Sequence, residues 1–167
     1  TKEIGYLSRE DAIAWGVTGP SGRGSGFSCD DRKHQPYSAY PLVQFEEKLD
    51  TRGDTFTRYR LRIEEMYESM HIIEQLIDNI PEGDYAVKMK GVVKLPEGEF
   101  YQRVESARGE FGVYIVSDGK KNPYRVKFRS PGFSNLFALN KMASGHKIAD
   151  LVAIMSTLDL VIPDIDR

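Results

Sequence analysis

The chain has 167 residues, 40% hydrophobic and 29% charged, with a formal net charge of -2. That length allows one domain with a real core, and the charge balance excludes the basic footprint of a nucleic-acid binder. No apolar run approaches the roughly 20 residues of a membrane-spanning helix, no signal peptide opens the chain, and the single cysteine, Cys29, rules out an intrachain disulfide or a four-thiolate cluster and points to a reducing cytoplasm.

In chain order, Ser8 with Asp11 three residues later reads as the start of a short helix that Gly16 ends. Gly19-Pro20-Ser21-Gly22-Arg23-Gly24-Ser25-Gly26 follows, and four glycines in eight residues predict a loop without regular structure. Residues 27–50 are expected to stay irregular, with Tyr37, Tyr40 and Phe45 packing the loop onto the core. A long helix is predicted over 54–80. Phe56, Tyr59, Ile63, Met66, Met70, Ile73, Ile77 and Ile80 alternate spacings of three and four, and this stripe is read as its core face. Leu61, Ile72 and Leu76 form a second stripe. Asp54 is the expected N-cap, Pro81 the stop, and Arg60 with Glu64 a surface pair.

Residues 100–129 read as β. Phe111, Val113 and Ile115 alternate with Gly112, Tyr114 and Val116, and residues 117–123 make a turn. Tyr124, Val126 and Phe128 then alternate with Arg125, Lys127 and Arg129, giving a strand with one apolar and one basic face. A strand over 100–104 completes an antiparallel meander. Two helices are expected over 134–158, the first capped by Ser134 and closed by Gly145, the second buried through Ile148, Leu151, Val152 and Met155. The fold class is therefore α+β: a long core helix, a small meander and C-terminal helices.

The residues alone offer no self-contained catalytic machine. Gly19 and Gly24 have phosphate-loop spacing, but Ser25 stands where that motif needs Lys, so tight packing explains the glycines better than nucleotide binding. His34, His71 and His146 fall in no metal-ligand pattern, and nothing around Cys29 marks a nucleophile. The tail stands out. Asp159 and Asp164 flank an apolar stretch, Leu160-Val161-Ile162-Pro163, and could meet a ligand with a polar head and a greasy body, such as a quinone; an ion-paired structural terminus is the plainer alternative.

An ordered set of segments carries a family resemblance. It comprises Gly16-Val17-Thr18-Gly19-Pro20 with Arg23-Gly24-Ser25-Gly26, Asp31-Arg32-Lys33, Arg62-Ile63-Glu64-Glu65-Met66 and Glu105-Ser106-Ala107-Arg108-Gly109-Glu110. Ser117-Asp118-Gly119, Pro123-Tyr124-Arg125, Gly145-His146 and the final Asp166-Arg167 complete it. Over essentially the whole chain these segments resemble the D subunit of bacterial NADH-quinone oxidoreductase, respiratory complex I, which in some bacteria is fused behind the C subunit. The pattern is also similar to the C-terminal part of the [NiFe]-hydrogenase large subunit. There a terminal Cys-x-x-Cys binds nickel and iron, whereas here Asp159 is followed by Leu160-Val161-Ile162 without thiolates.

The resemblance implies that residues 1–167 are a single domain, the C-terminal fragment of a larger quinone-reducing subunit. It implies a quinone pocket lined by Asp159, Leu160 and Val161, with Asp164 and the terminal Arg167 at the same site. No catalytic residue and no metal is expected within the fragment, which alone should be inactive. The family's tyrosine and histidine for the quinone head group lie upstream of Thr1. The iron-sulfur cluster, flavin and NADH belong to other subunits. Expected partners are the iron-sulfur B subunit, the C subunit, the membrane arm and quinone, with no nucleic acid. The expected location is the cytoplasmic side of the bacterial inner membrane, peripheral and held by partner subunits. The alternative implied is a metal-free scaffold subunit of a membrane-bound hydrogenase-like complex.

Overall fold

The computed structural model describes residues 1–88, 91 and 93–166. Arg167, assigned to the site above, lies outside the described residues. The α+β architecture is as expected. Helix α1 (Arg9–Ala14) starts where the Ser8 side chain accepts from the Asp11 N–H, and Gly16 follows it at φ +66°. A left-handed residue just past a helix end favours glycine.

The glycine segment corrects the sequence expectation. Gly19–Arg23 is a short helix, α2, with Pro20 in its first turn. Proline there loses no helical hydrogen bond, and the glycines let backbones close in around the helix. A Cβ on Gly19 would stand 2.4 Å from the Arg108 carbonyl oxygen, and one on Gly22 2.7 Å from that of Val17. Tertiary contact has overridden weak helix propensity. A second short helix, α3 (Asp31–His34), interrupts the stretch expected to be irregular. Beyond it Tyr40, Phe45 and Val43 pack with Ile72 and Leu76, so the loop is anchored largely as expected.

Helix α4 (Thr55–Ile77) is capped by Asp54, whose side chain accepts from the Thr57 N–H. It stops at Asp78, three residues short of Pro81. Arg60 and Glu64 pair at 3.2 Å. Its buried face is not the expected stripe. Tyr59, Met66, Met70, Ile73 and Ile77 are exposed, and Thr55, Thr57, Arg58, Leu61 and Ile72 are buried instead. The face turned inward is polar at its N-terminal end because α4 meets α2 and α6 through hydrogen bonds. Arg58, fully buried, donates to the carbonyls of Gly5 and Gly53 and to the hydroxyls of Thr55 and Thr157 at 2.8–3.2 Å. No carboxylate pairs with it among the described residues, and burial lowers its pKa to about 10. Four oxygen acceptors offset much of the cost of removing that charge from water.

Strands β1 (Gly98–Ser106), β2 (Gly109–Ser117) and β3 (Arg125–Arg129) form an antiparallel sheet in the order β1-β2-β3. Only Ala107 and Arg108 join β1 to β2, which sets Ser106 opposite Gly109 and Glu105 opposite Glu110. Helix α5 (Pro131–Ala143) begins at Ser130 and not at the expected cap, Ser134, which lies inside it. Pro131 is the start signal that decides the boundary. Gly145 at φ +83° follows its end, as expected.

Helix α6 (Ile148–Leu158) buries Ile154 and Leu158, whereas Ile148, Val152 and Met155 of the expected stripe are exposed. The main core joins Leu7, Ala12, Val17, Ala138, Met142, Ile154 and Leu158, where α1, α5 and α6 meet. A last turn, α7 (Ile162–Ile165), lies against α5.

Candidate functional site

Four segments distant in sequence converge on one cavity. Helix α2 brings Arg23, α4 brings Arg62 and Glu65, and the end of β1 with the turn after it brings Glu105, Ser106 and Ala107. Asp159, at the end of α6, completes a cavity of about 320 Å³. Arg23 is buried between two acids, donating to Glu65 at 2.6 Å and to Glu105 at 2.7 Å. Burial opposes its charge, but Glu105 and Glu65 outweigh this and hold the guanidinium above its ordinary value. Burial pushes the Glu105 carboxyl up, with Arg23 pulling the other way. Its second oxygen accepts from the Asp31 N–H at 3.3 Å, and Tyr37 bonds to the Glu105 backbone.

Asp159 has φ +54°, ψ +51°, a left-handed conformation that an aspartate tolerates better than most residues. The turn aims its backbone and side chain at Arg108, whose Nε lies 3.0 Å from the Asp159 carbonyl oxygen and 3.3 Å from Oδ2. Arg108 is fixed from below, because Gly109 and Gly19 press the two backbones together. A Cβ on Gly109 would stand 2.5 Å from Thr18 Oγ1 and 2.8 Å from the Gly19 nitrogen. Thr18 Oγ1 in turn accepts from the Glu110 N–H at 3.0 Å. The glycines thus serve close packing and position the arginine.

Arg62 differs from its neighbours. Its Nη1 donates to the Arg58 carbonyl at 3.2 Å, and among the described residues no carboxylate lies within 4 Å of it. Burial lowers its pKa, with Asp159 acting in the opposite direction. The cavity therefore presents an arginine with N–H groups to spare, near a second one held by Asp159. Such a pair can bind a carbonyl oxygen and stabilise negative charge that develops there.

The tail residues do not all meet. Asp159 lines this cavity. Leu160 packs against the main core. Val161 precedes α7, and its carbonyl accepts from the Asp164 and Ile165 N–H groups. Asp164 accepts from the Ser130 hydroxyl at the start of α5, so the two carboxylates flanking the apolar stretch turn to different neighbours. Sequence reasoning passed over Arg62 and the Arg23–Glu65–Glu105 bridge. Their separations of 42 and 82 residues leave no local signal.

Metal chemistry finds little here. Burial pushes the Cys29 thiol up to about 12, Arg23 opposing, so thiolate is scarce near neutral pH. Among the described residues no three His, Cys, Asp or Glu side chains are grouped to hold a metal ion. His34 bonds to Ser28 and His146 accepts from the Gly5 N–H. No helix among the described residues is long and apolar enough to cross a membrane.

Comparison with known proteins shows the family of the chain. The C/D subunit of NADH-quinone oxidoreductase from Phocaeicola vulgatus is 57% identical over 166 residues, covering 99% of this chain and 32% of the relative. The D subunit of the same enzyme from Desulfotalea psychrophila is 48% identical over 167 residues, covering 99% and 45%. The chain thus spans 32% to 45% of the length of these relatives. A chain in the structure of the membrane-bound sulfane sulfur reductase, an archaeal respiratory membrane complex, matches with a TM-score of 0.92 and 39% identity over 99% of this chain and 46% of that one. The model of the respiratory-chain NADH dehydrogenase 49 Kd subunit matches residues 1–94 and 85–167, and the chain belongs to that family.

Proposed function

We propose that residues 1–167 form one domain, the C-terminal part of the quinone-reducing subunit of a proton-pumping NADH-quinone oxidoreductase. The observation that carries this reading is the Asp159 turn, braced by Arg108 at an arginine-rich cavity. Asp159 orients Arg108. Arg62 and Arg108 offer donors to the quinone oxygen as it gains charge. Leu160 ties the turn to the core, Val161 forms an apolar wall, Asp164 holds α7 to α5, and Arg167 belongs to the same site. The cluster that delivers electrons sits on a neighbouring iron-sulfur subunit, and flavin and NADH on others. The C subunit and the membrane arm complete the assembly, which holds this domain at the cytoplasmic side of the membrane.

Val161→Met in the intact enzyme should change sensitivity to quinone-site inhibitors while leaving NADH oxidation by an artificial acceptor unaltered. An unchanged inhibitor response removes Val161 from the site. The likeness to a sulfane sulfur reductase chain favours one other reading, a metal-free scaffold in a related membrane complex. Under that reading Asp159→Asn would leave quinone reduction untouched.

A further inference from the structure

The second and larger cavity lies away from Asp159. It is an open cleft of about 850 Å³ running along β3, all five of whose residues line it. Among the described residues β3 is an edge strand, paired with β2 alone. Half of its backbone N–H and C=O groups therefore point outward, and none of these bonds to another described residue. Opposite stand Phe133 of α5 and Ile165 of α7.

The two faces of β3 differ in chemistry. Lys127 pairs with Tyr114, and Tyr114 with Tyr101, so these three share one face with Arg125 and Arg129. Val126 and Phe128 occupy the other and are 41% and 45% exposed. Arg129 is satisfied by Glu110 and by the Gly16 carbonyl. Glu110 and Glu99 on the same face are engaged, Glu110 by Arg103 and Arg129, Glu99 by the Tyr114 hydroxyl. Arg125 and Lys127 have no ion pair with any described residue, and among the described residues no carboxylate lines the cleft.

We propose that this edge is a docking site for an extended acidic segment of a partner protein, added to the sheet as a fourth strand. The pleat dictates the pattern of that segment. Carboxylates at alternate positions face Arg125 and Lys127, and apolar residues between them cover Val126 and Phe128. A second copy of this chain is a poor occupant, because an antiparallel β3–β3 pair sets its cations against themselves. Cations on an edge strand can simply deter pairing. A cleft lined by aromatics and exposed apolar residues beside them fits capture of a chosen partner better than deterrence.

The test uses the full-length polypeptide containing this chain and two labelled eight-residue peptides, one alternating Glu with Val, the other Lys with Val. The Glu peptide should bind at least tenfold more tightly and slow hydrogen exchange at the amides of 125–129. Arg125→Glu with Lys127→Glu should reverse the preference, and that gain of binding also shows that the double variant folds. Equal or absent binding of the two peptides overturns the proposal. So does protection away from β3, or slow exchange at 125–129 before any peptide is added, which would mean that the polypeptide covers its own edge. None of these outcomes bears on the Asp159 cavity.

Discussion

Arg23→Ala is expected to destabilise the fold by about 3–5 kcal/mol, the usual cost of removing one partner of a buried ion pair. Arg23 is 2% exposed and the Glu105 side chain 4%, so water solvates the stranded carboxylate poorly. Denaturant unfolding of the full-length polypeptide measures the loss. Glu105→Gln added to the same variant should recover part of it, since the stranded charge is then gone. The pH dependence has a definite sign. The Glu105 carboxyl already sits above its ordinary value, and loss of Arg23 raises it further. A carboxyl raised in the folded state destabilises that state as pH rises through its folded pKa. The deficit of the variant should therefore shrink on acidification toward the ordinary glutamate range. A loss under about 1 kcal/mol, flat with pH, would mean that the bridge is open to water.

Gly109→Ala is the second large effect. The residue has φ +131°, a conformation that a side chain rarely adopts, and its Cβ would meet Thr18 Oγ1 and the Gly19 backbone at 2.5 and 2.8 Å. Backbone cannot move aside as a flexible side chain can, so strain and overpacking together should cost roughly 2–4 kcal/mol. The contact joins α2 to the turn carrying Arg108, so quinone reduction in the assembled enzyme should fall with stability. Gly119→Ala is the control, since a Cβ there meets nothing within 4 Å although φ is +74°. Its cost should be confined to backbone strain, and equal losses at the two positions would show that the close approach at Gly109 contributes nothing.

The elements were legible where local chemistry decides them. Ser8, Asp54 and Gly145 mark helix ends through their own side chains or lack of one, and alternation marked β2 and β3, with β1 expected as the strand that completes the meander. Faces were harder to read. The stripe from Tyr59 to Ile77 marks one side of α4 as apolar, yet within this chain that side is exposed. Within this chain the helix packs through Thr55, Thr57, Arg58, Leu61 and Ile72, and the burial of Arg58 depends on acceptors from Gly5, Gly53, Thr55 and Thr157. Helix α2 was hidden because glycine argues against helix until the neighbouring backbones are known. In the candidate site, Asp159 was legible as a charged residue in a greasy tail. Arg62 was not, because its meaning lies in the partners it lacks.

On the proposed reading, the tail around Asp159 walls a quinone chamber. Photolabelling of the intact membrane enzyme with an azido-quinone, followed by tryptic digestion, tests it most directly. The expected adduct lies on the peptide spanning 148–167, and excess unlabelled quinone abolishes it. Adducts displaced by quinone but confined to other peptides would contradict the claim.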